Sequence, residues 1–222
     1  SIMAQTVAIL PVRHEHLLDK NGDIIRVGGV DLLTKTIASV LTSQKIDLLC
    51  VSTDTKEIAQ QAQNLGALAP FLRPEKVKDA DETIPLVLSH SVTELEKTVS
   101  KPIKTVVFLS CYYPFRHTEL IDQVIDVYQT NRFESVFTVK ETSGNYWYKD
   151  KDGKVVRVFR SNYYSSRDRR EPLYRELMGL VCVTDKRCIS EQSIIGNSIG
   201  VVPVHDAAHL IDLRDPTWEQ IH

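Results

Sequence analysis

Val7-Ala8-Ile9-Leu10-Pro11-Val12-Arg13 is a short, continuous apolar run that ends in a proline and then in charge. Three more runs of the same kind follow: Leu48-Leu49-Cys50-Val51, Val106-Val107-Phe108-Leu109 and Ser135-Val136-Phe137-Thr138-Val139. None alternates apolar with polar residues. A strand with one wet face alternates, whereas a strand covered on both faces does not, so the runs predict a mostly parallel, doubly covered sheet. Amphipathic stretches lie between them. Leu32, Leu33, Thr36, Ile37, Val40 and Leu41 recur at helical spacing after Gly28-Gly29, which reads as the helix opening. Ile58, Ala59, Ala62 and Leu65 predict a second helix, with Thr53 or Asp54 as its start and Gly66 as its end. Ile84, Val87, Leu88, Val92 and Leu95 predict a third, and Leu120, Ile121, Val124, Ile125 and Tyr128 a fourth behind Thr118 as N-cap. This strand–helix rhythm implies an α/β fold with a doubly wound, mostly parallel sheet and right-handed crossovers.

Residues 140–178 break the rhythm. They are polar and aromatic (Tyr146, Trp147, Tyr148, Tyr163, Tyr164, Tyr174), and Lys149 to Lys154 reads as a hairpin turn before the strand Val155–Phe159. We read an inserted β arm in a single domain spanning 1–222. Exposed aromatics on such an arm suit a protein interface better than a ligand site. Leu180–Val183 and Ile199–Val204 return to sheet patterning, and Pro216–Ile221 reads as a last short helix.

Composition narrows the function. Lys and Arg number 27 against 29 Asp and Glu, a net charge of −2, so no bulk positive field calls for nucleic acid or an anionic membrane. No apolar stretch approaches the roughly 20 residues of a membrane span, and no basic, apolar leader opens the chain. Four scattered cysteines form no Cys-x-x-Cys pair; Cys50 and Cys182 lie in apolar runs and read as reduced core residues. A cytoplasmic protein is expected.

In doubly wound sheets, ligands bind beyond the carboxyl ends of the strands. The segments that follow the strands are therefore the candidates: Pro11 to Asp23, Ser52 to Asp54, Ser110 to Arg116, and Asp212 to Pro216. They should converge on one cleft. Arg13, Lys20 and the next helix N-terminus suit phosphate, although neither a Walker A loop nor Gly-x-Gly-x-x-Gly is present. His14-x-His16 offers two metal ligands without a third and reads as exposed polar residues. Asp212 and Asp215 suit magnesium, with Asp215 also placed to cap the last helix. Cys111 lies in the expected cleft, but no histidine pairs with it in the sequence.

Three stretches in order carry a resemblance: Gly28-Gly29-Val30-Asp31-Leu32-Leu33, Val51-Ser52-Thr53-Asp54-Thr55-Lys56-Glu57-Ile58-Ala59, and Phe71-Leu72-Arg73-Pro74-Glu75. From about Val7 to Glu219 the chain resembles the acylneuraminate cytidylyltransferase (CMP-sialic acid synthetase) family. That resemblance implies a Rossmann-like nucleotidyltransferase fold. It implies transfer of CMP from CTP to a nonulosonic, sialic-type sugar acid with release of pyrophosphate, magnesium as the metal, and a homodimer whose arms reach the neighbouring site. By resemblance Leu10, Pro11 and Arg13 would meet the nucleotide and Arg73 its base and ribose. Lys20 and Asn21 would supply a catalytic lysine and a base-reading asparagine if the loop shifts by two residues; an ungapped match puts Gly22 and Asp23 there. Ser110, Tyr112 and Arg116 would face the sugar, Arg167 or Arg169 would be the arm arginine, and Asp212 the first metal-binding aspartate.

The catalytic stretches depart from that pattern. The family's Arg-x-Gly-Ser-Lys loop is Arg13-His14-Glu15-His16-Leu17, without glycine. Its Gln-Pro-Thr-Ser-Pro-Leu-Arg loop is Ser110-Cys111-Tyr112-Tyr113-Pro114-Phe115-Arg116, and its Asp-Ile-Asp motif is Asp212-Leu213-Arg214. Two functions follow from this: a divergent CMP-sugar-acid synthetase, or a degenerate relative that binds a nucleotide, a sugar or a partner.

Overall fold

A computed structural model describes residues 4–74, 83–158 and 172–215. The readings of Glu75, Arg167, Arg169 and the helix at Pro216–Ile221 lie outside the described residues.

In chain order the elements are β1 (Gln5–Pro11), β2 (Arg26–Val27), β3 (Val30–Asp31), α1 (Leu32–Leu41), β4 (Leu48–Ser52), α2 (Lys56–Asn64), α3 (Ile84–Glu96), β5 (Ile103–Phe108), α4 (Thr118–Asn131), β6 (Ser135–Thr142), β7 (Trp147–Lys149), β8 (Val155–Arg157), β9 (Leu173–Glu176), β10 (Cys182–Asp185) and β11 (Ile199–Pro203). The main sheet runs β4-β1-β5-β10-β6-β11. β1 lies parallel to β4 and β5, with Ile9 opposite both Cys50 and Phe108, and β11 lies parallel to β6. β10 is antiparallel to both β5 and β6, so the sheet is mixed but mostly parallel.

Side chains of a strand alternate between faces, and both faces of β1 are buried. Ala8 and Leu10 join Leu33, Ile37, Ile121 and Ile125 of α1 and α4 on one side. Val7 and Ile9 join Leu88 and Leu95 of α3 on the other. This double cover is why the strand is continuously apolar. Cys50, Cys111 and Cys182 are buried thiols; burial pushes Cys50 up to about 12 and Cys111 up to about 11, so neither is a thiolate nucleophile at neutral pH.

Three expected helix boundaries move. Gly28 (φ 60°) and Gly29 (φ 81°) form the two-residue turn of the β2–β3 hairpin, a geometry that needs positive φ at both positions. α1 starts after them and is capped by Asp31, which accepts from Thr34 N at 2.9 Å. α2 is preceded by Thr55 rather than Thr53 or Asp54. α4 is preceded by His117, because the Thr118 hydroxyl instead donates to Ser39 O of α1 at 2.7 Å.

β9 continues the antiparallel edge that β10 forms on β6, after an interruption at 177–181. Thr138 fills that interruption. Its hydroxyl donates to Leu177 O at 2.7 Å and accepts from Val181 N at 3.1 Å. The excursion it allows carries Met178, Gly179 and Leu180 past the end of β5. The expected hairpin in the arm is present as β7–β8. The Asp150 carboxylate accepts from Asp152 N and Lys154 N at 2.9 Å, with Gly153 at φ 81°. Tyr146, Trp147, Tyr148 and Val155 of the arm are exposed.

Candidate functional site

A cavity of about 450 Å³ opens beyond the carboxyl ends of β1 and β5. Its walls include Pro11 at the end of β1 and His16 beyond it, Ser110, Tyr112 and Tyr113 after β5, Glu176 at the end of β9 and Met178 just after it, and Arg214. Three of the four expected segments therefore meet. The fourth, Ser52 to Asp54, braces the others from behind: Ser52 O accepts from Val12 N at 2.8 Å.

Arg214 is the cation of this wall. Its guanidinium lies 4.7 Å from the Tyr112 ring and 5.8 Å from the Tyr113 ring, and Nη2 donates to Tyr113 Oη at 3.3 Å. Nε donates to Asp212 Oδ1 at 3.0 Å and Nη2 to Asp212 Oδ2 at 2.8 Å. The backbone N–H of Arg214 also donates to Oδ1 at 2.9 Å. Both carboxylate oxygens of Asp212 are thus engaged. A magnesium ion held by Asp212 does not fit this arrangement, since Arg214, two residues on, supplies the counter-charge itself. Burial pushes the phenols of Tyr112 and Tyr113 above their ordinary range, so both rings are neutral.

His16 lies in a single 3-10 turn, His14–Leu17, and its ring tilts against Tyr112 with centroids 5.2 Å apart. Arg13 N donates to His16 Nδ1 at 3.3 Å. Burial holds the imidazole below its ordinary pKa, with Arg13, Arg73 and Arg214 acting in the same direction against Glu15. A neutral ring whose Nδ1 accepts carries its proton on Nε2. His16 therefore offers an uncharged N–H donor in the cavity wall. It is a partly buried wall residue rather than the exposed polar residue expected from the sequence.

The other arginines do different work. Arg116 is buried, and Nε donates to Leu180 O at 2.6 Å while Nη2 donates to Ser110 O at 2.5 Å and Gly179 O at 2.9 Å. It rivets the loop after β5 to the excursion at 177–181. Burial pulls it down to about 10, which leaves it charged at neutral pH. Arg73 is buried too and donates to Val12 O at 3.0 Å and Ser52 O at 3.2 Å, holding the ends of β1 and β4 together. These two expected ligand contacts are, in this structure, carbonyl clamps behind the cavity. Arg13 is mostly covered and lies 3.5 Å from Glu15.

Ser110 lies in the wall and accepts from Tyr112 N at 3.2 Å, and Pro11 lines the cavity while Leu10 is fully buried beneath it. Lys20 and Asn21 sit in an exposed turn held by Asp19, whose carboxylate accepts from Asn21 N at 2.8 Å and Asp23 N at 3.0 Å. Neither lines the cavity. An apolar hollow of about 690 Å³ lies beyond that turn, bordered by Asp19, Ile25, Pro114, Phe115 and Leu213.

His16 and Arg214 lie in segments expected to converge on the cleft, His16 as one of a histidine pair and Arg214 as the basic replacement inside an otherwise acidic motif; Glu176 and Met178 carry no such signal in the sequence. No helix among the described residues is long and apolar enough to cross a membrane.

Known proteins resemble the chain over nearly its whole length. The chain is 25% identical over 218 residues to a CMP-N,N'-diacetyllegionaminic acid synthase of Legionella pneumophila subsp. pneumophila, covering 95% of this chain and 91% of that protein. It is 22% identical over 223 residues to a pseudaminic acid cytidylyltransferase of Campylobacter jejuni subsp. jejuni serotype O:2, covering 98% and 95%. Among solved structures, a 4-diphosphocytidyl-2C-methyl-D-erythritol synthase from Anaerococcus prevotii superposes with a TM-score of 0.63 at 14% identity, covering 98% of this chain and 94% of that one. A CMP:2-keto-3-deoxy-manno-octonic acid synthetase complexed with CTP superposes with a TM-score of 0.62 at 12% identity, covering 90% of each. These last two share the fold. The sequence profile described as Cytidylyltransferase matches residues 7–215, from the first buried residues of β1 through both walls of the cavity, and the chain belongs to that family of nucleotidyl-transferring enzymes.

Proposed function

We propose that this protein transfers CMP from CTP to a nonulosonic sugar acid and releases pyrophosphate. The observation that carries the reading is the Arg214 guanidinium, held against Tyr112 and Tyr113 in the wall of the cavity beyond β1 and β5. A planar cation suits either the carboxylate of a sugar acid or a phosphate. The anomeric hydroxyl attacks the α-phosphorus and gives its proton to water, a new P–O bond forms, and the bond from the α-phosphorus to the bridging oxygen breaks as pyrophosphate leaves. Charge grows on the transferring phosphoryl oxygens, and fixed donors aimed there lower the barrier. Arg214 and the His16 Nε2–H are the donors this wall supplies. Ser110 and Tyr112 border the same space and face the sugar in this reading.

Magnesium belongs to the proposal as an ion carried in by the triphosphate oxygens, because both Asp212 oxygens are already engaged by Arg214. The exposed Tyr146, Trp147 and Tyr148 of the arm form the face of a homodimer, and the protein works in the cytoplasm.

Calorimetric titration with CTP, UTP, ATP and GTP, each with and without magnesium, tests the nucleotide. Selective binding of CTP supports the reading, and pyrophosphate release with legionaminic, pseudaminic or neuraminic acid completes it. Absence of any nucleotide binding overturns it. CTP binding without turnover on any sugar acid leaves a nucleotide-binding relative.

A further inference from the structure

We propose that His117, Asp206 and His209 form a binding site for a divalent transition-metal ion of the zinc class, which ties the two walls of the cavity together. One nitrogen of each imidazole and one carboxylate oxygen all lie within 4.8 Å of one another. The three residues come from distant parts of the chain. His117 directly precedes α4, and Asp206 and His209 lie in the loop after β11.

The donor set fits the ion. Two imidazoles with one carboxylate suit zinc and its neighbours, whereas magnesium and calcium take oxygen ligands almost throughout. Zinc bonds of about 2.0–2.1 Å place tetrahedral ligands about 3.4 Å apart, so the set must draw in. It is free to do so, because His117 and Asp206 are exposed side chains. Asp206 is already oriented, since Oδ1 accepts from Ala208 N at 2.9 Å. The rings of His117 and His209 meet edge to face with centroids 4.7 Å apart. A second, independent feature also points to a ligand: His209 Nε2 is buried and makes no hydrogen bond. Burial, and then His117, hold the His209 ring below its ordinary pKa, which favours the neutral form that binds metals.

The site's place in the fold gives it a consequence. Arg116, which rivets the loop carrying Ser110 and Tyr112, is the residue before His117. His209 stands three residues before Asp212, the partner of Arg214. An ion bridging the two would hold the Tyr112 wall against the Arg214 wall. Three protein ligands leave a fourth position for water, as in exchangeable zinc sites, so the ion would come and go with its concentration.

Cobalt(II) reports on such a site through its visible absorption. Chelator-treated, untagged full-length protein should take up one equivalent of cobalt(II), displaceable by zinc(II), and zinc should raise the thermal midpoint. His209→Ala and His117→Gln should each weaken binding by roughly 100-fold, since even outer partners of metal ligands are worth about 10- to 100-fold. His14→Gln should bind as the parent does. Circular dichroism of each variant separates lost binding from lost folding, and Asp206→Asn, an exposed and conservative change, serves if either histidine variant fails to fold. No stoichiometric uptake of cobalt or zinc below millimolar concentration would overturn the proposal, as would undiminished binding by a folded His209→Ala. Nucleotide binding is measured separately, so loss of the metal site and loss of the cytidylyltransferase reading are distinguishable.

Discussion

Arg214 and Asp212 face each other fork to fork, with Nε on Oδ1 at 3.0 Å and Nη2 on Oδ2 at 2.8 Å. The pair is partly exposed and is screened, so its value lies in orientation rather than in stability. It holds the guanidinium over the Tyr112 ring, 4.7 Å from its centroid.

The first prediction concerns this pair. Arg214→Ala should lower CMP transfer by roughly 100-fold or more, the scale on which a single transition-state donor counts. Thermal stability should change little. Arg214→Asp should leave two acids in place of the ion pair and steepen the dependence of CTP binding on magnesium. Pyrophosphate release across a magnesium series measures both effects; an Arg214→Ala variant with full activity would sink the assignment.

Arg116 acts on stability. Its removal leaves Ser110 O and Leu180 O without their donor, while Gly179 O keeps the bond from Ser110 N at 2.8 Å. Two buried carbonyls at roughly 1–3 kcal/mol each give a loss of about 2–6 kcal/mol for Arg116→Met. Lysine cannot reproduce the fork and should rescue little. Urea unfolding midpoints are the readout.

Thr138→Val keeps shape and removes the hydroxyl that fills the break between β9 and β10. Leu177 O loses a donor and Val181 N an acceptor. The expected loss is about 1–3 kcal/mol. Hydrogen exchange should quicken at Val181 before it quickens elsewhere in β10.

His16 sets a pH dependence. Its folded pKa lies below the ordinary histidine value, so between the two the unfolded chain binds more protons. The stability it contributes is therefore full above about pH 6.5 and declines as pH falls toward the folded pKa. His209 is shifted in the same direction, so the parent must be compared with His16→Gln. The variant should show a shallower loss of stability between neutral and mildly acidic pH. Parallel curves would show that His16 is not held neutral.

The strands, their order along the chain and the double cover of the sheet were legible because they rest on local patterning. Val7 to Leu10 is apolar without a gap, and only a strand with helices on both sides needs that. The arm hairpin was legible from Asp150 and Gly153, whose side chain and backbone freedom act within five residues. Gly28-Gly29 was misread as a helix opening because a positive-φ pair serves a hairpin turn, and the helix signal, Asp31, stood three residues further on.

The roles of the arginines were decided in three dimensions. Arg73 and Arg116 have the same chemistry as Arg214, and the sequence assigns the first two to ligands and Arg214 only to a departure from an acidic motif. What separates them is backbone: carbonyls at Val12, Ser52, Ser110, Gly179 and Leu180 meet the first two, and a carbonyl carries no mark in the residue type. Arg214 reaches Tyr113 across 101 residues, and Arg116 reaches Leu180 across 64. Patterning over a few residues settles which segments become strands and helices. Which polar side chains face the cavity, and which hold its walls from behind, depends on contacts that exist only once the sheet has brought the strand ends together.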